Sequence, residues 1–188
     1  MINIVGISGS LRKGSYNSAL LRSAVALMPV RAELRVASIR DIGLYDGDVE
    51  ATEGVPAPVA ALKDTVAAAD GLLLVTPEYN NSIPGVFKNA IDWMSRPPAD
   101  IPRVFGGRPA ALIGASPGAF GTILSQNAWL PVLRTLGMRM WSEGRLMVSR
   151  APSVFAADGT LADAKIEDAL RKFLEGFIGF VESTRREQ

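Results

Sequence analysis

The chain has 188 residues, of which 20 are basic and 19 acidic, so its formal net charge is +1. That balance, together with the lack of a long Lys/Arg cluster, argues against a nucleic-acid-binding surface. The sequence contains no Cys and no His. Without Cys, disulfides and a thiolate nucleophile are excluded. Without His, the protein lacks the side chain that most often binds metals and most often serves as an acid or base near neutral pH. We predict no metal site, and any redox chemistry would need an organic cofactor.

The length predicts a single domain over residues 1–188. The N-terminus lacks the basic and apolar regions of a signal peptide. Apolar runs such as residues 71–75 and 110–114 are too short to span a bilayer. We therefore expect a cytoplasmic protein without membrane contact.

Short apolar runs alternate along the chain with segments whose apolar residues recur every three or four positions. The predicted strands are residues 2–7, 34–39, 71–75, 110–114 and 138–140, and the predicted helices are residues 17–28, 57–69, 84–94, 123–136 and 166–181. Residues 41–58 have no clear period and are predicted to form a surface loop. Pro131 should kink or restart its helix. Strands that are apolar throughout predict a parallel sheet with helices on both faces, an α/β fold.

In such a sheet, ligands bind at the carboxyl ends of the strands, and three loops leave those ends. The first, residues 9–17, offers Ser10, Ser15 and Asn17 as short donors and Arg12 as a charged fork, next to a helix N-terminus. These features predict a phosphate site. Gly14 stands where a Walker loop has Lys, and the dinucleotide glycine pattern is missing, so a terminal monophosphate fits better. The alternative is an ordinary capped turn.

The second and third loops are residues 76–85 and 116–121. In the second, Pro77 fixes the backbone, and Asn80 and Asn81 tolerate tight geometry, so that a planar ring could lie against this wall. In the third, small residues leave main-chain N–H groups for the polar edge of a ligand. Each loop alone is equally consistent with a plain turn.

Residues 9–17 together with residues 77–96 (PEYNNSIPGVFKNAIDWMSR) closely resemble the NADPH-dependent FMN reductase family, which includes quinone, chromate and azo-dye reductases. The likeness extends to about Trp141. It implies a flavodoxin-like, doubly wound five-stranded parallel sheet that binds FMN, and a homodimer or homotetramer. Where this chain has Asn81, family members often carry Gly or an aromatic residue.

The resemblance also implies a role for each loop. The FMN phosphate would be held by Ser10, Arg12, Ser15 and Asn17. The isoalloxazine ring and ribityl chain would be lined by Pro77, Glu78, Tyr79, Asn80 and Asn81. The other edge of the flavin would be closed by Ser116, Pro117 and Gly118. No catalytic side chain is implied.

The predicted function is an oxidoreductase that passes hydride from NADPH or NADH through bound FMN to a small-molecule acceptor. The sequence leaves the acceptor open among quinone, flavin, chromate and azo compounds. One alternative is a flavodoxin-like electron carrier, which the net charge of +1 disfavours because such carriers are usually acidic. The other is a non-catalytic flavin or phosphate sensor, since a fold does not fix a function.

Overall fold

The protein is built around one parallel β-sheet. A computed structural model describes the main chain of residues 1–186 and the side chains of residues 1–185. Residues 187 and 188, which the sequence assigns to the same domain, lie outside the described residues. The strands in the described part are β1 (Ile2–Ser8), β2 (Ala32–Ala37), β3 (Gly71–Val75), β4 (Pro109–Ala115), β5 (Arg139–Met140) and β6 (Leu146–Val148).

The strand order is β2-β1-β3-β4-β5, and every pairing is parallel. This is the doubly wound order of flavodoxin-like proteins, so the predicted fold is confirmed. Every residue of β3 and β4 is buried because helices cover both faces of the central strands. At the edge, β2 alternates between buried and exposed side chains from Ala32 to Arg35, and its last residues are more open, with Val36 exposed.

Helices pack on both faces of the sheet and divide the apolar interior into two clusters. The helices are α1 (Tyr16–Ala26), α2 (Gly47–Glu53), α3 (Ala57–Ala67), α4 (Gly85–Met94), α5 (Ile101–Val104), α6 (Ile123–Thr135) and α7 (Ala164–Arg186). α1 and α7 cover one face, and their cluster contains Trp141. α3, α4 and α6 cover the other, and their cluster contains Trp93 and Trp129. None of the helices in this part of the chain has both the length and the apolar character needed to cross a bilayer.

The predicted surface loop at residues 41–58 was wrong in part, because it contains α2. This helix buries none of its residues, so the apolar periodicity that reveals other helices is absent. Capping stabilises it instead: Asp46 accepts a hydrogen bond of 2.8 Å from the N–H of Asp48. Acidic residues occupy the first turn, and Gly54 ends the helix at a φ of 78°.

Two strand predictions also need correction. β2 ends at Ala37, so Ile39 lies beyond it, although Ile39 is still buried against the apolar cluster of α3 and α4. The predicted fifth strand is divided into β5, which pairs with the start of β4, and β6, which pairs with its end. The five residues between them turn around the ring of Trp141. Gly144 lies against that ring, and a Cβ there would come within 2.3 Å of it.

α6 continues through Pro131 without a break, where the sequence predicts a kink or a restart. The proline is exposed on the outer face of the helix. Water can therefore satisfy the carbonyl group that loses its helical N–H partner.

A buried lysine connects α3 to the segment after α4. Lys63 has only 3% of its side chain exposed, and its ammonium forms a 2.7 Å ion pair with Asp100 and also donates to the carbonyl of Arg96. Asp100 pairs with Arg103 as well, at 3.1 Å. Hydrogen bonds from Arg103 and then Lys63 lower the pKa of the Asp100 carboxyl to about 2. The carboxylate therefore stays charged in the folded protein until the solution is strongly acidic.

Candidate functional site at the carboxyl edge of the sheet

The three loops predicted from the sequence meet at the carboxyl edge of the sheet, because they follow the neighbouring strands β1, β3 and β4. Gly9 shows how closely the first two loops approach each other. A Cβ on Gly9 would lie 2.2 Å from Cδ1 of Phe87 and 2.9 Å from Cδ of Pro77. Only a residue without a side chain fits between α4 and the second loop.

The first loop presents an unusually dense set of hydrogen-bond donors. Within the described residues, the main-chain N–H groups of residues 13–17 have no hydrogen-bond acceptor. The Ser15 hydroxyl caps α1 by accepting from the N–H of Ser18 at 3.3 Å, so its own proton remains free to donate. Arg12 is exposed, and no acidic residue occupies the first turn of α1. This donor set is suited to a phosphate group.

Two further polar groups shape this loop. The Ser10 hydroxyl accepts from the N–H of Arg12 at 3.4 Å. Arg40, which belongs to none of the sequence motifs, donates from its guanidinium to the carbonyl of Leu11 at 2.6 Å. Arg40 lies 29 positions from Leu11, so only the adjacency of β1 and β2 could have indicated this contact. Arg40 thus adds a third cation to the two that the loop itself carries, Arg12 and Lys13.

Asn17 is directed away from the loop opening and into the sheet. It is 4% exposed, and its side-chain amide forms two hydrogen bonds with the main chain of Ala115. One of its two Nδ2 protons is used in this pair. The side chain that the sequence assigns to phosphate binding is thus also the link between α1 and the end of β4.

The second loop forms a tight turn whose tip is exposed. Tyr79 and Ser82 exchange two main-chain hydrogen bonds of 3.1 Å, and between them Asn80 and Asn81 have φ values of 51° and 62°. Two consecutive residues with positive φ are the pattern of a type I′ turn, which Asn and Gly tolerate best. The Asn81 position can therefore accept the Gly of family members without a change in backbone. Tyr79 is 44% exposed beside this turn.

The carboxylate of Glu78 connects the second loop to α6. Its Oε2 accepts from the N–H of Leu124 at 2.9 Å and from the N–H of Ser125 at 3.0 Å. The residue at the usual capping position, Thr122, makes no such bond. Glu78 therefore caps α6 from a different loop, and its side chain lies along the helix end.

A buried hydroxyl network lies beneath this cap. The Thr76 hydroxyl lies 2.8 Å from the Ser125 hydroxyl and accepts from Nε1 of Trp129 at 3.0 Å. Thr76, Ser125 and Trp129 are fully buried. Such a network fixes the end of β3 against α6. Thr76 and Ser125 could not be recognised from the sequence, because an isolated hydroxyl residue carries no pattern of its own.

The third loop is the most open of the three. Its base is held by hydrogen bonds from Ser116 N–H to Val148 and from Arg150 N–H to Gly118, each 2.9 Å long. Residues 117–120 are exposed, and Phe120 is 81% exposed. The N–H groups of residues 118–120 have no acceptor in the described part of the chain. They are available to the polar edge of a ligand.

A parallel sheet in the order 2-1-3-4-5, with a donor-rich loop at its carboxyl edge, defines a flavodoxin-like nucleotide-binding protein. The family model described as NADPH-dependent FMN reductase matches residues 2–153. The chain belongs to this family.

Individual relatives agree with that assignment. An NAD(P)H-dependent FMN reductase of Pseudomonas aeruginosa is 44% identical over 174 residues, which cover 93% of this chain and 92% of the relative. A 2-hydroxy-1,4-benzoquinone reductase of a Burkholderia species is 34% identical, with 98% of each chain covered. Among solved structures, a flavoenzyme NAD(P)H:(acceptor) oxidoreductase of Paracoccus denitrificans superposes with a TM-score of 0.87 at 35% identity, covering 98% of this chain and 99% of that one.

Proposed function

We propose that this protein is an FMN-dependent NAD(P)H oxidoreductase that passes hydride from NADPH or NADH, through bound FMN, to a quinone. The observation that carries the proposal is the first loop, where N–H groups and the Arg12 guanidinium, which have no partner within the described residues, lie at the same edge as the second loop. A quinone is the favoured acceptor because related proteins include a benzoquinone reductase and quinone reductases.

The residues present fit FMN in the chemistry of their donors. The phosphate would be bound by Ser10, Arg12, Ser15, the N–H groups of residues 13–17, and the remaining Nδ2 proton of Asn17. The isoalloxazine and ribityl groups would lie against Pro77, Glu78, Tyr79, Asn80 and Asn81, and the third loop would close the site with Ser116, Pro117 and Gly118. Glu78 would contribute its main-chain N–H, because its carboxylate is bonded to α6.

FMN supplies the hydride chemistry when it is bound. The protein's share of the work is to hold the ring with one face accessible and to place main-chain donors at its polar edge. The chain contains neither His nor Cys, and the proposal assigns no side chain as acid, base or nucleophile. Solvent can supply the protons that the reduced quinone takes up.

We also propose a homo-oligomer that forms through the surface of α4 and α6. A groove of 410 Å³ lies between these helices, and apolar side chains such as Ile91, Val132 and Leu136 line it. Leu124, which lies at helical spacing from the groove residues Pro131 and Thr135, is 44% exposed. Exposed apolar surface of this kind favours association with a second copy.

The proposal treats residues 1–188 as one FMN-binding domain, since α7 packs against β1, β4 and β6 of the same sheet. It places the enzyme in the cytoplasm, where reduced nicotinamide nucleotides are available as substrates.

Spectroscopy and kinetics test the proposed function directly. The purified protein should show a flavin absorbance spectrum or take up FMN in a titration, and it should then oxidise NADPH or NADH in the presence of a quinone. Initial rates at several concentrations of both substrates should give the parallel-line pattern of a two-step cycle. A protein that binds no FMN, or that binds it without turnover, would overturn the proposal.

A further inference from the structure

The second and third loops are joined by side chains and not only by their common edge. Two residues of the second loop contact the helix that follows the third loop through their side chains: the hydroxyl of Thr76 does so in the buried interior, and the carboxylate of Glu78 does so at the helix end. The partners of Glu78, Leu124 and Ser125, lie in the first turn of α6, which begins at Ile123 shortly after the third loop. The second loop is therefore fixed to the helix end that adjoins the third loop.

The residues beneath the Glu78 cap are closely packed. The strand that precedes the third loop has Gly114, where a Cβ would lie 2.2 Å from both the carbonyl of Thr76 and the hydroxyl of Thr122. Thr76 and Ser125 lie 2.8 Å apart, fully buried, beneath the cap. The end of β3, the end of β4 and the start of α6 thus form one close-packed unit, and Glu78 closes it on the solvent side.

The negative charge of Glu78 also stabilises the start of α6. The N-terminus of a helix carries about half a positive charge, and the side chain of Thr122 leaves the end of α6 uncapped. No acidic residue lies in the first turn of α6. A carboxylate from the second loop therefore compensates the positive end of the helix, next to the third-loop N–H groups that have no acceptor in the described part of the chain.

We propose that Glu78 is a positioning residue, which sets the separation of the two flavin-facing loops by capping α6 with its carboxylate and acts on bound FMN only through that geometry. This inference rests on the proposed function for its effect on FMN, whereas the cap itself belongs to the protein alone. It assigns to the side chain of Glu78 a role different from contact with the ring. The main-chain N–H of Glu78 stays available to the flavin.

Two variants separate the cap from its charge. Glu78→Gln keeps one oxygen that can accept from the helix N–H groups but removes the charge, whereas Glu78→Ala removes the cap. FMN affinity, measured by quenching of flavin fluorescence, should fall in the order Glu, Gln, Ala, with a loss of at least about fivefold for Ala. The matched control is Glu53→Ala, an exposed glutamate at the end of α2, which should bind FMN as the native protein does.

The visible circular dichroism of bound flavin is the decisive measurement, because a general loss of protein stability would not change it. At saturating FMN, the visible circular dichroism of the bound flavin should change in Glu78→Ala and return partly in Glu78→Gln. Native affinity together with a native flavin spectrum in Glu78→Ala would overturn the inference and leave the proposed function intact.

Amide hydrogen exchange without FMN tests the cap independently of the proposed function. The N–H groups of Leu124 and Ser125 should exchange faster in Glu78→Ala, because only that variant lacks their acceptor. Unchanged exchange at both positions would overturn the cap even if the native protein proves to be an FMN enzyme. Faster exchange in a protein that does not bind FMN would instead retain the cap and reject the proposed function.

Discussion

Asn17 and Ala115 lie 98 positions apart and are joined by two hydrogen bonds, one in each direction. The side-chain Nδ2 of Asn17 donates to the carbonyl of Ala115 at 2.8 Å, and the N–H of Ala115 donates to Oδ1 of Asn17 at 2.9 Å. One side chain thus satisfies both main-chain groups at the last residue of β4. The start of α1 and the start of the third loop are fixed to each other by this pair.

Replacing Asn17 should therefore lower the stability of the protein even when no ligand is bound. Asn17→Ala leaves both buried main-chain groups of Ala115 without partners, and the free energy of unfolding should fall by about 2–4 kcal/mol. Urea unfolding measures the change. Asn127→Ala, on the exposed side of α6, is the control and should stay close to the native value. Equal midpoints for the two variants would contradict the structural role of Asn17.

The first loop makes a prediction that separates phosphate from flavin. Arg12→Ala removes a charged donor from the proposed phosphate site, so affinity for FMN should fall about 10- to 100-fold. Affinity for riboflavin, which has no phosphate, should change little. Both are measured by titration calorimetry, with Lys165→Ala, an exposed residue of α7, as control. An equal loss for both ligands would show that Arg12 does not act on the phosphate.

Asp100 predicts a specific loss of stability in acid. The Asp100 pKa is lowered to about 2 in the folded protein, first by its hydrogen bond with Arg103 and then by Lys63, from an ordinary value of 3.8. Between those two values the unfolded chain binds more protons than the folded one, so stability falls as the pH falls from 3.8 towards 2.

Urea midpoints measured across this pH range should therefore decline less steeply in Asp100→Asn than in the native protein. Asp41→Asn, an exposed residue outside the ion pairs described, should keep the native slope. If the urea midpoint of Asp100→Asn depended on pH as steeply as that of the native protein, Asp100 would not contribute to the loss of stability in acid.

The surface of α4 and α6 makes a prediction about assembly. Pro131→Glu places a charge at an exposed position that lines the groove between α4 and α6, where burial against a second copy would become unfavourable. Light scattering after size exclusion should show a shift to monomer. Val30→Glu alters an apolar residue that is 97% exposed before β2, and it should leave the mass unchanged. A native protein that is already monomeric would reject the proposed oligomer.

The sequence predicts the sheet and the three loops because these depend on local patterns. Apolar runs mark β1, β3 and β4, and turn chemistry marks the second loop, whose consecutive Asn80 and Asn81 have the positive φ values expected of tight geometry. Residues 41–58 were harder to interpret, since α2 buries nothing and is held by its cap. The divided fifth strand could not be foreseen either, because β6 is only three residues long.

The side-chain partners within the site could not be predicted for a different reason. Glu78 bonds to residues 46 and 47 positions away, and Asn17 bonds to a residue 98 positions away. A polar residue in a loop motif has the same local appearance whether it contacts a ligand or ties two loops together. Only the three-dimensional arrangement shows that both side chains link separate segments, and Asn17 keeps one Nδ2 proton for the proposed phosphate site.

The sheet that separates the two apolar clusters also separates the three tryptophans. Trp93 and Trp129 lie fully buried in one layer, and Trp141 lies in the other with its ring 4.8 Å from that of Phe173. Each layer therefore carries its own fluorescent reporter. The variant Trp141→Phe would leave fluorescence from one layer, and the double variant Trp93→Phe, Trp129→Phe would leave fluorescence from the other. Comparing the unfolding rates that these two variants report would show whether the two layers unfold in a single step.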